Sequence, residues 1–183
     1  MRQLAYYILT IIVLLSFNAC GVKKRTANAH VDHSKHEKSS VSKGSDLRQH
    51  YAMLMNTNPK ELNETLYKYI DAWMGSPHRM GGQSKDGIDC SGFVGLIYKE
   101  VYGKTLPRSS REMGEVVKRK YDDQLQEGDL VFFSFGGKNI DHVGVYLHND
   151  RFIHVSTKQG VVISNLKDAW YYKYMTRCGT PQI

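Results

Sequence analysis

The sequence predicts an α+β fold in which N-terminal helices pack against a central antiparallel β-sheet. Apolar residues recur at intervals of three and four between residues 59 and 103, as they do in helices that bury one face. After residue 128, short runs of β-type residues follow one another, separated by turn residues. Helices first and strands later favour α+β over an alternating parallel architecture.

Three helices are expected before the sheet, each bounded by a residue that starts or stops a helix. Glycine and proline after the first helix end it, and a glycine after the second supplies a left-handed stop. A serine side chain caps the third. The predicted helices run over Pro59–Met74, from Cys90 to Gly103, and from Ser109 or Ser110 through Val117.

Five short strands are expected after Gly128. Asn149-Asp150 and Gln159-Gly160 are turn pairs that separate neighbouring strands. The predicted strands are Leu130–Phe133, Val143–Leu147, Arg151–Val155, Val161–Ile163 and a closing strand over Tyr172–Cys178.

The N-terminus has the features of an export signal. A positive start precedes a 14-residue apolar run, Leu4–Phe17, which is the length of a signal-peptide core and shorter than the roughly 20 residues that span a membrane. The run ends in Asn18-Ala19-Cys20-Gly21, which resembles a bacterial lipoprotein signal. That resemblance implies a signal peptide over residues 1–19, acyl chains on Cys20, and anchoring to a membrane. A plain secretory signal cut nearby remains the alternative.

Residues 20–49 are expected to form a disordered linker, followed by one folded domain over residues 50–183. The linker is rich in Lys, Ser, His and Asn and has too few apolar residues to offset the entropy of ordering. His30, His33 and His36 lie in it; we interpret them as solvated, with metal binding as the weaker alternative. Gly21 in place of an aspartate retention signal favours the outer membrane, facing the periplasm.

The charge distribution argues against a nucleic-acid-binding domain. The formal net charge is +7, but residues 21–50 carry +4 of it and residues 51–183 only +2. Proteins that bind nucleic acids usually carry a basic stripe on the folded part. The sequence therefore predicts no nucleic-acid partner, and its three cysteines form no CxxC pair that would hold zinc.

Cys90 is the candidate nucleophile. It starts a predicted helix after a glycine-rich loop, and the amides and dipole of a helix N-terminus favour an anion. The sequence therefore predicts a thiolate with a lowered pKa, suited to acyl transfer. The alternative is a buried structural cysteine. Cys178 has no evident partner and is expected to be a free, buried thiol.

His142 and His154 lie on consecutive predicted strands, and the length of the connecting loop decides whether they meet. A two-residue loop would place the two side chains on opposite faces of the sheet. A three-residue loop, His148–Asp150, would pair residue 144 with 154 and make the histidines diagonal neighbours, about 7 Å apart at Cβ. The catalytic interpretation therefore predicts an odd-numbered loop or a bulge.

Six short sequence blocks occur in the same order as in a known family. They include Cys90 and the two histidines, and the resemblance extends over roughly residues 65–170. The blocks are Gly81-Gly82, Asp89–Val94, Leu106–Ser110, Gly128–Phe133, His142–Tyr146 and Phe152–His154. Together they resemble the NlpC family of papain-like bacterial cell-wall endopeptidases.

The resemblance implies a papain-like fold, no cofactor or metal, and hydrolysis of peptide bonds in peptidoglycan stem peptides or crosslinks. Cys90 would be the nucleophile, His142 the base, and His154 the polar third member that orients His142. The alternatives are an amidase or acyltransferase using the same thiolate, and a non-catalytic, lipid-tethered wall-binding module. The last predicts that His142 points away from Cys90.

Four further residues are candidates for substrate binding. Asp89 and Ser91 flank Cys90 and resemble family residues that hold the polar end of the substrate, although both could merely cap the helix. Arg108 could reach an acidic group of the substrate, with a structural salt bridge as the alternative. His78 stands where the family usually has a tyrosine, and an imidazole can still donate a hydrogen bond there.

Overall fold

The computed structural model describes residues 43–183, with side chains from residue 46 onward. The export signal, Cys20, the three linker histidines and most of the expected linker therefore lie outside the described residues. Five α-helices and two 3₁₀ turns occur in the described part. The helices are α1 (Lys43–Met55), α2 (Glu64–Asp71), α3 (Cys90–Tyr102), α4 (Ser110–Glu115) and α5 (Ala169–Tyr174); the 3₁₀ turns are Pro59–Glu61 and Asp122–Gln124.

Helix α1 corrects the expected boundary between linker and domain. Residues 43–49 were assigned to the disordered linker, but they form the first half of this helix. Tyr51, Ala52 and Met55 in its second half are buried in the core, and Arg48 forms an ion pair with Glu64 of α2. Tertiary packing of the second half therefore carries the helix toward the N-terminus, although composition alone favours disorder.

The expected helix over Pro59–Met74 is divided into two elements. Asn58 caps the 3₁₀ turn, and the Asn63 side chain accepts the Leu66 N–H at 3.2 Å and caps α2. Each asparagine starts a new element because its side chain satisfies the free amides at a helix start. The apolar periodicity identified the buried face correctly but not this interruption.

Helices α3 and α4 agree closely with the sequence. Gly103 ends α3 in a left-handed conformation. Ser109 caps α4 in a reciprocal capping box with Glu112, and Val117 already belongs to the next strand.

Eight strands occur in the described part of the chain. They are β1 (Gln83–Ser84), β2 (Gly87–Ile88), β3 (Val117–Arg119), β4 (Leu130–Phe133), β5 (His142–Tyr146), β6 (Arg151–Ser156), β7 (Gly160–Asn165) and β8 (Met175–Pro181). Six of them form an antiparallel central sheet in the order β3-β8-β4-β5-β6-β7, and β1 and β2 form a separate hairpin before α3. Neither that hairpin nor β3 was expected, because two or three residues are too few to show a pattern.

The closing strand expected over Tyr172–Cys178 is partly wrong. Residues 169–174 form helix α5, and the strand begins only at Met175. Tyrosine favours strands on average, but Trp170 and Tyr174 pack on Phe135 as a helix places them. The β propensity of such residues depends on what they pack against, so packing decides here.

The sheet separates two apolar clusters. Alternating residues of β5, Val143 and Val145, face the larger cluster, which contains Phe93 and Ile97 of α3. The opposite face holds a smaller cluster that includes Phe133, Tyr146 and Phe152. His142 and His154 alternate onto this second face, whereas Cys90 packs at the edge of the larger cluster.

Within residues 43–183, no helix is long and apolar enough to cross a membrane. Cys178 is a free, buried thiol, as expected. Its sulfur donates to the Lys120 carbonyl at 3.2 Å, and burial raises the pKa of the thiol to about 11.

Candidate active site

Cys90 is the first residue of α3, and Asp89 caps that helix. The Asp89 carboxylate accepts the Gly92 N–H at 2.6 Å and the Gly81 N–H at 2.8 Å. An aspartate at this position satisfies the free amides of the first turn. The local sequence therefore holds the thiol at the helix start and ties the preceding glycine loop to it.

Arg108 pairs with Asp89 on the same side of the site. Its two terminal nitrogens donate to the two carboxylate oxygens at 3.0 and 2.7 Å, and one also donates to Ser91 Oγ at 2.8 Å. Burial alone would raise the pKa of Asp89, but hydrogen bonds from Arg108 and from the Gly92 and Gly81 amides hold it below its usual value. The helix-capping role of Asp89 and the salt bridge of Arg108 are thus both present. Arg108 is nevertheless 46% exposed.

The glycines of the sequence blocks are required by close packing around this helix start. A Cβ on Gly92 would lie 2.9 Å from the Gly82 carbonyl oxygen and 3.0 Å from Asp89 Oδ1. A Cβ on Gly82 would run into the backbone of Gly87. The loop over Gly81-Gly82 can therefore approach α3 only without side chains at these positions.

The thiol of Cys90 does not have the lowered pKa that the sequence predicted. Burial is the largest influence and raises the pKa of Cys90, and the negative charge of Asp89 raises it further. Hydrogen bonds from the backbone N–H groups of Val143 and Ser91 act in the opposite direction but do not outweigh burial. The helix dipole argument omitted desolvation and the neighbouring carboxylate. At neutral pH the resting group is therefore a thiol.

The strand register confirms the three-residue loop between β5 and β6. Gly144 pairs with His154, and the Leu147 N–H donates to the Arg151 carbonyl at 2.8 Å across the loop. Asn149 and Asp150 have positive φ angles of 48° and 60°, which close the turn.

The two histidines share one face and are in direct contact. His142 Nε2 lies 2.9 Å from His154 Nδ1, with the rings nearly perpendicular. His142 lines the same cleft as Cys90, whereas His154 does not. The hairpin therefore places His142 on the cleft that contains the thiol and His154 behind His142.

The hydrogen bonds continue beyond His154 to residues that sequence reasoning missed. His154 Nε2 lies 3.0 Å from Ser164 Oγ and 3.3 Å from the Tyr171 hydroxyl. Two tautomer patterns satisfy this chain, because the hydroxyl groups at its end can donate or accept. In the pattern that general-base catalysis needs, His142 donates from Nε2 to His154 Nδ1, and His154 donates from Nε2 to Ser164. That pattern leaves Nδ1 of His142 with a free lone pair. Ser164 could have been found by extending the register argument to the next hairpin, where it pairs with Phe152.

Burial keeps both imidazoles neutral. It lowers the pKa of His142 to about 4, with Asp141 acting against the shift and His78 adding to it. It lowers the pKa of His154 to about 3, with the neighbouring His142 contributing. A neutral His142 is a competent proton acceptor at neutral pH.

All four expected substrate-binding residues lie around one cleft of about 720 Å³, together with the thiol and His142. His78 is held at its edge by a parallel bridge to Ile88, and Met80 beside it is 83% exposed. Unexpected members of the lining include Phe135, Asp141 and Thr157. The structure therefore brings Cys90, His142, His78, Asp89, Ser91 and Arg108 to one cleft, with His154 behind its wall.

In the region from residue 43 onward, no three His, Cys, Asp or Glu side chains are grouped so as to hold a metal ion. The chemistry that this arrangement can support is proton transfer from a thiol to a neutral imidazole, followed by attack on an acyl group.

Comparisons with known proteins agree with this architecture. The family model described as the NlpC/P60 family matches residues 75–180. The murein DD-endopeptidase MepS/murein LD-carboxypeptidase of Escherichia coli K12 is 34% identical over 175 residues, covering 94% of this chain and 90% of that protein. A probable endopeptidase NlpC homolog of Haemophilus influenzae is 42% identical over 115 residues, covering 63% of this chain and 61% of that protein.

A solved structure shows the same fold. The crystal structure of an NlpC/P60 family protein from Bacillus cereus ATCC 10987 superimposes with a TM-score of 0.60 and 29% identity, covering 66% of this chain and 40% of that one. The α+β, papain-like fold expected from the sequence is confirmed. Both the motif blocks and the measured similarities lead to one conclusion: the chain belongs to the NlpC/P60 family of cysteine peptidases.

Proposed function

We propose that this protein is an exported cysteine endopeptidase that hydrolyses peptide bonds in the stem peptides or crosslinks of peptidoglycan. The observation that carries the proposal is the contact of 2.9 Å between His142 Nε2 and His154 Nδ1, with His142 lining the same cleft as Cys90. The similarity to a murein endopeptidase over 94% of the chain supports the choice of substrate.

The first half of the proposed reaction forms a thioester. His142 Nδ1 takes the thiol proton as the Cys90 sulfur attacks the carbonyl carbon, which becomes tetrahedral and bears an oxyanion. The backbone N–H of Cys90, free in the first helical turn, donates to that oxyanion. The carbon–nitrogen bond then breaks, and the proton on His142 Nδ1 passes to the leaving amine.

The second half regenerates the enzyme. Water loses a proton to His142 Nδ1 and attacks the thioester carbonyl, the carbon–sulfur bond breaks, and the proton returns to sulfur as the acid leaves. His154 acts throughout as a positioning residue because it accepts the Nε2 proton and so keeps the lone pair of His142 on the Nδ1 side.

The neutral resting forms of the Cys90 thiol and the His142 imidazole are compatible with these proposed steps. A neutral thiol beside a neutral imidazole holds the same number of protons as a thiolate beside an imidazolium. The proton needs to move only when substrate excludes water and the Val143 and Ser91 amides stabilise the sulfur charge.

The export part of the proposal rests on the N-terminal sequence. Leu4–Phe17 and the Cys20-Gly21 pair support cleavage after residue 19, acylation of Cys20, and anchoring in the outer membrane facing the periplasm. Cells given a labelled fatty acid should label the wild-type chain and not a Cys20→Ala variant. Equal labelling of both would overturn the lipid anchor without affecting the peptidase proposal.

The peptidase proposal is tested with the full chain and purified peptidoglycan, with the released fragments identified by mass spectrometry. The wild type should release peptides whose new termini name the cleaved bond, and Cys90→Ala should release none. Cys178→Ala is the matched control, since that thiol is buried away from the cleft, and it should behave as the wild type. Release by Cys90→Ala would exclude the thiol mechanism; binding without release by the wild type would favour a wall-binding module.

A further inference from the structure

A second recess adjoins the cleft that contains the thiol. It measures about 580 Å³ and is lined by the two histidines and by residues of the β6–β7 turn and α5. Phe135, His142 and Thr157 line both spaces, whereas Cys90 lines only the first. The two spaces are therefore neighbours, and the proton-transferring imidazole belongs to the wall that they share.

One wall of this recess is an exposed indole. Trp170 is 60% exposed, although it stacks on Phe135 with ring centroids 5.9 Å apart and nearly parallel planes. Tyr174 also packs against the indole, with ring centroids 4.7 Å apart. These contacts fix the ring in place while leaving much of its apolar surface open. A rigid, exposed aromatic surface beside a reactive group is typical of a ligand-binding wall.

The recess has one charged side chain, that of Lys158. The residue lies in the turn between β6 and β7, and that turn is held by Ser156 Oγ, which accepts the Lys158 and Gln159 N–H groups at 3.3 Å each. Among the residues with described side chains, none forms an ion pair with Lys158, whereas Arg108 on the thiol side is already paired with Asp89. The histidines are neutral, so the charge of the recess is that of a single ammonium group.

The direction of the proposed reaction decides what occupies each side. The acyl half of the substrate becomes attached to Cys90 and stays in the cleft that contains the sulfur. The leaving amine must lie within hydrogen-bonding distance of His142 to receive its proton, and His142 also lines the recess, which Cys90 does not. The occupant of the recess is therefore the part of the substrate that carries the leaving amine.

We infer that Lys158 selects a leaving group that has a free carboxylate on the same carbon as the scissile amine, with Trp170 contacting its aliphatic part. This inference rests on the proposed function and deepens it. In an ordinary main-chain peptide the corresponding carbon bears an amide, which is neutral. A crosslink made through a side-chain amino group, or a terminal residue, leaves a carboxylate at that position. Lys158 would thus direct the enzyme toward such bonds and away from internal main-chain bonds.

The test uses two crosslinked muropeptide dimers that differ in one group. In the first, the diaminopimelate that supplies the leaving amine carries a free carboxylate on that carbon; in the second, this carboxylate is amidated. The full-length wild type should cleave the acid with a kcat/KM about fivefold higher than the amide, as expected for a partly exposed ion pair. The Lys158→Gln variant should lose this preference, because its kcat/KM for the acid should fall to that for the amide. Lys104→Gln, at the opposite end of α3 from the thiol, is the matched control and should keep the preference.

A binding measurement separates this inference from the proposed function. The protein has two tryptophans, and Trp73 is buried while Trp170 is exposed, so their indole N–H signals in NMR report on different places. In the Cys90→Ala variant, the acid dimer should shift the Trp170 signal at a lower concentration than the amide dimer does. In the double variant Cys90→Ala/Lys158→Gln, the two dimers should shift that signal at the same concentration.

The outcomes are distinct. If the wild type cleaves neither dimer but the Trp170 shift still depends on Lys158 and the carboxylate, the recess is the proposed carboxylate site and the proposed reaction is wrong. If the wild type cleaves both dimers equally well, or if Lys158→Gln slows both alike, the selection by Lys158 is overturned while the peptidase proposal stands.

Discussion

The two sides of the candidate site are built in different ways. The thiol side is assembled from local sequence: Asp89 caps the helix that Cys90 starts, and Arg108 neutralises the cap through two hydrogen bonds of 3.0 and 2.7 Å. The histidine side depends on pairing between separate strands and carries no formal charge, with His142, His154 and Ser164 joined by contacts of 2.9 and 3.0 Å. Charge stabilises the first side, whereas register and burial stabilise the second.

This difference has a consequence for experiments. Changes to the Asp89–Arg108 pair should act mainly on the free energy of unfolding, because they disturb an ion pair whose carboxylate is buried. Changes on the histidine side should act mainly on the rate, because they disturb proton positions in a neutral chain of hydrogen bonds.

The largest effect is expected at His142. His142→Gln removes the proton acceptor, and kcat on purified peptidoglycan should fall at least about a thousandfold, since general acid–base groups contribute on this scale. The midpoint of thermal unfolding should change by only a few degrees. His50→Gln, an exposed histidine on α1, is the control and should retain full activity. A residual rate above a tenth of the wild type would remove His142 from the mechanism.

A smaller loss of rate is expected at His154, with partial rescue by a residue of similar polarity. His154→Leu leaves the Nε2 proton of His142 without an acceptor, and kcat should fall about a hundredfold with little change in KM. The asparagine of His154→Asn can still accept that hydrogen bond. The kcat of this variant should therefore be about tenfold higher than that of His154→Leu. Equal rates for the two variants would show that His154 only fills space.

Removing Arg108 should affect stability more than rate. Arg108→Met leaves the Asp89 carboxylate, whose side chain is only 8% exposed, without its partner. The free energy of unfolding in urea should fall by about 2 kcal/mol, as for a buried carboxylate that loses its ion pair. The double variant Asp89→Asn/Arg108→Met should recover more than half of this loss. If the double variant is as unstable as the single one, the ion pair is not what stabilises the helix start.

The smallest effect concerns the acid limb of the pH profile. The proposed mechanism requires a neutral His142, so kcat/KM should fall only as the pH drops through the lowered pKa of this residue, about 4. An unperturbed histidine, with its ordinary value of 6.5, would already have lost about nine-tenths of its activity at pH 5.5. A profile measured between pH 4 and 8 distinguishes the two. If kcat/KM instead falls to half of its maximum near pH 6.5, burial does not keep His142 neutral.

Much of this site is predictable from the sequence because the information is local or periodic. The Asp89 cap, the capping box of α4 and the limits of α3 follow from neighbouring residues. The contact between His142 and His154 follows from the length of one loop and the two-residue period of a strand. These parts need no knowledge of the rest of the chain.

Other parts depend on distant residues and were missed or wrong. The pKa of Cys90 depends on how deeply the fold buries the sulfur, which no motif states. Helix α5 replaced the start of a strand because aromatic packing on Phe135 outweighs propensity. The N-terminal half of α1 is ordered by contacts made further along the helix and by α2. In each case the deciding contacts join residues far apart in sequence.

The loop of three residues between β5 and β6 also has an evolutionary consequence. Substitutions within His148–Asp150 would cost individual contacts, such as those of His148 with Glu127 and of Asn149 with the Met55 carbonyl, but would leave the strand register in place. Deletion or insertion of a single residue would invert the face of one strand relative to the other and separate the two histidines. In the lineage of this enzyme, the length of the loop can therefore drift only in steps of two.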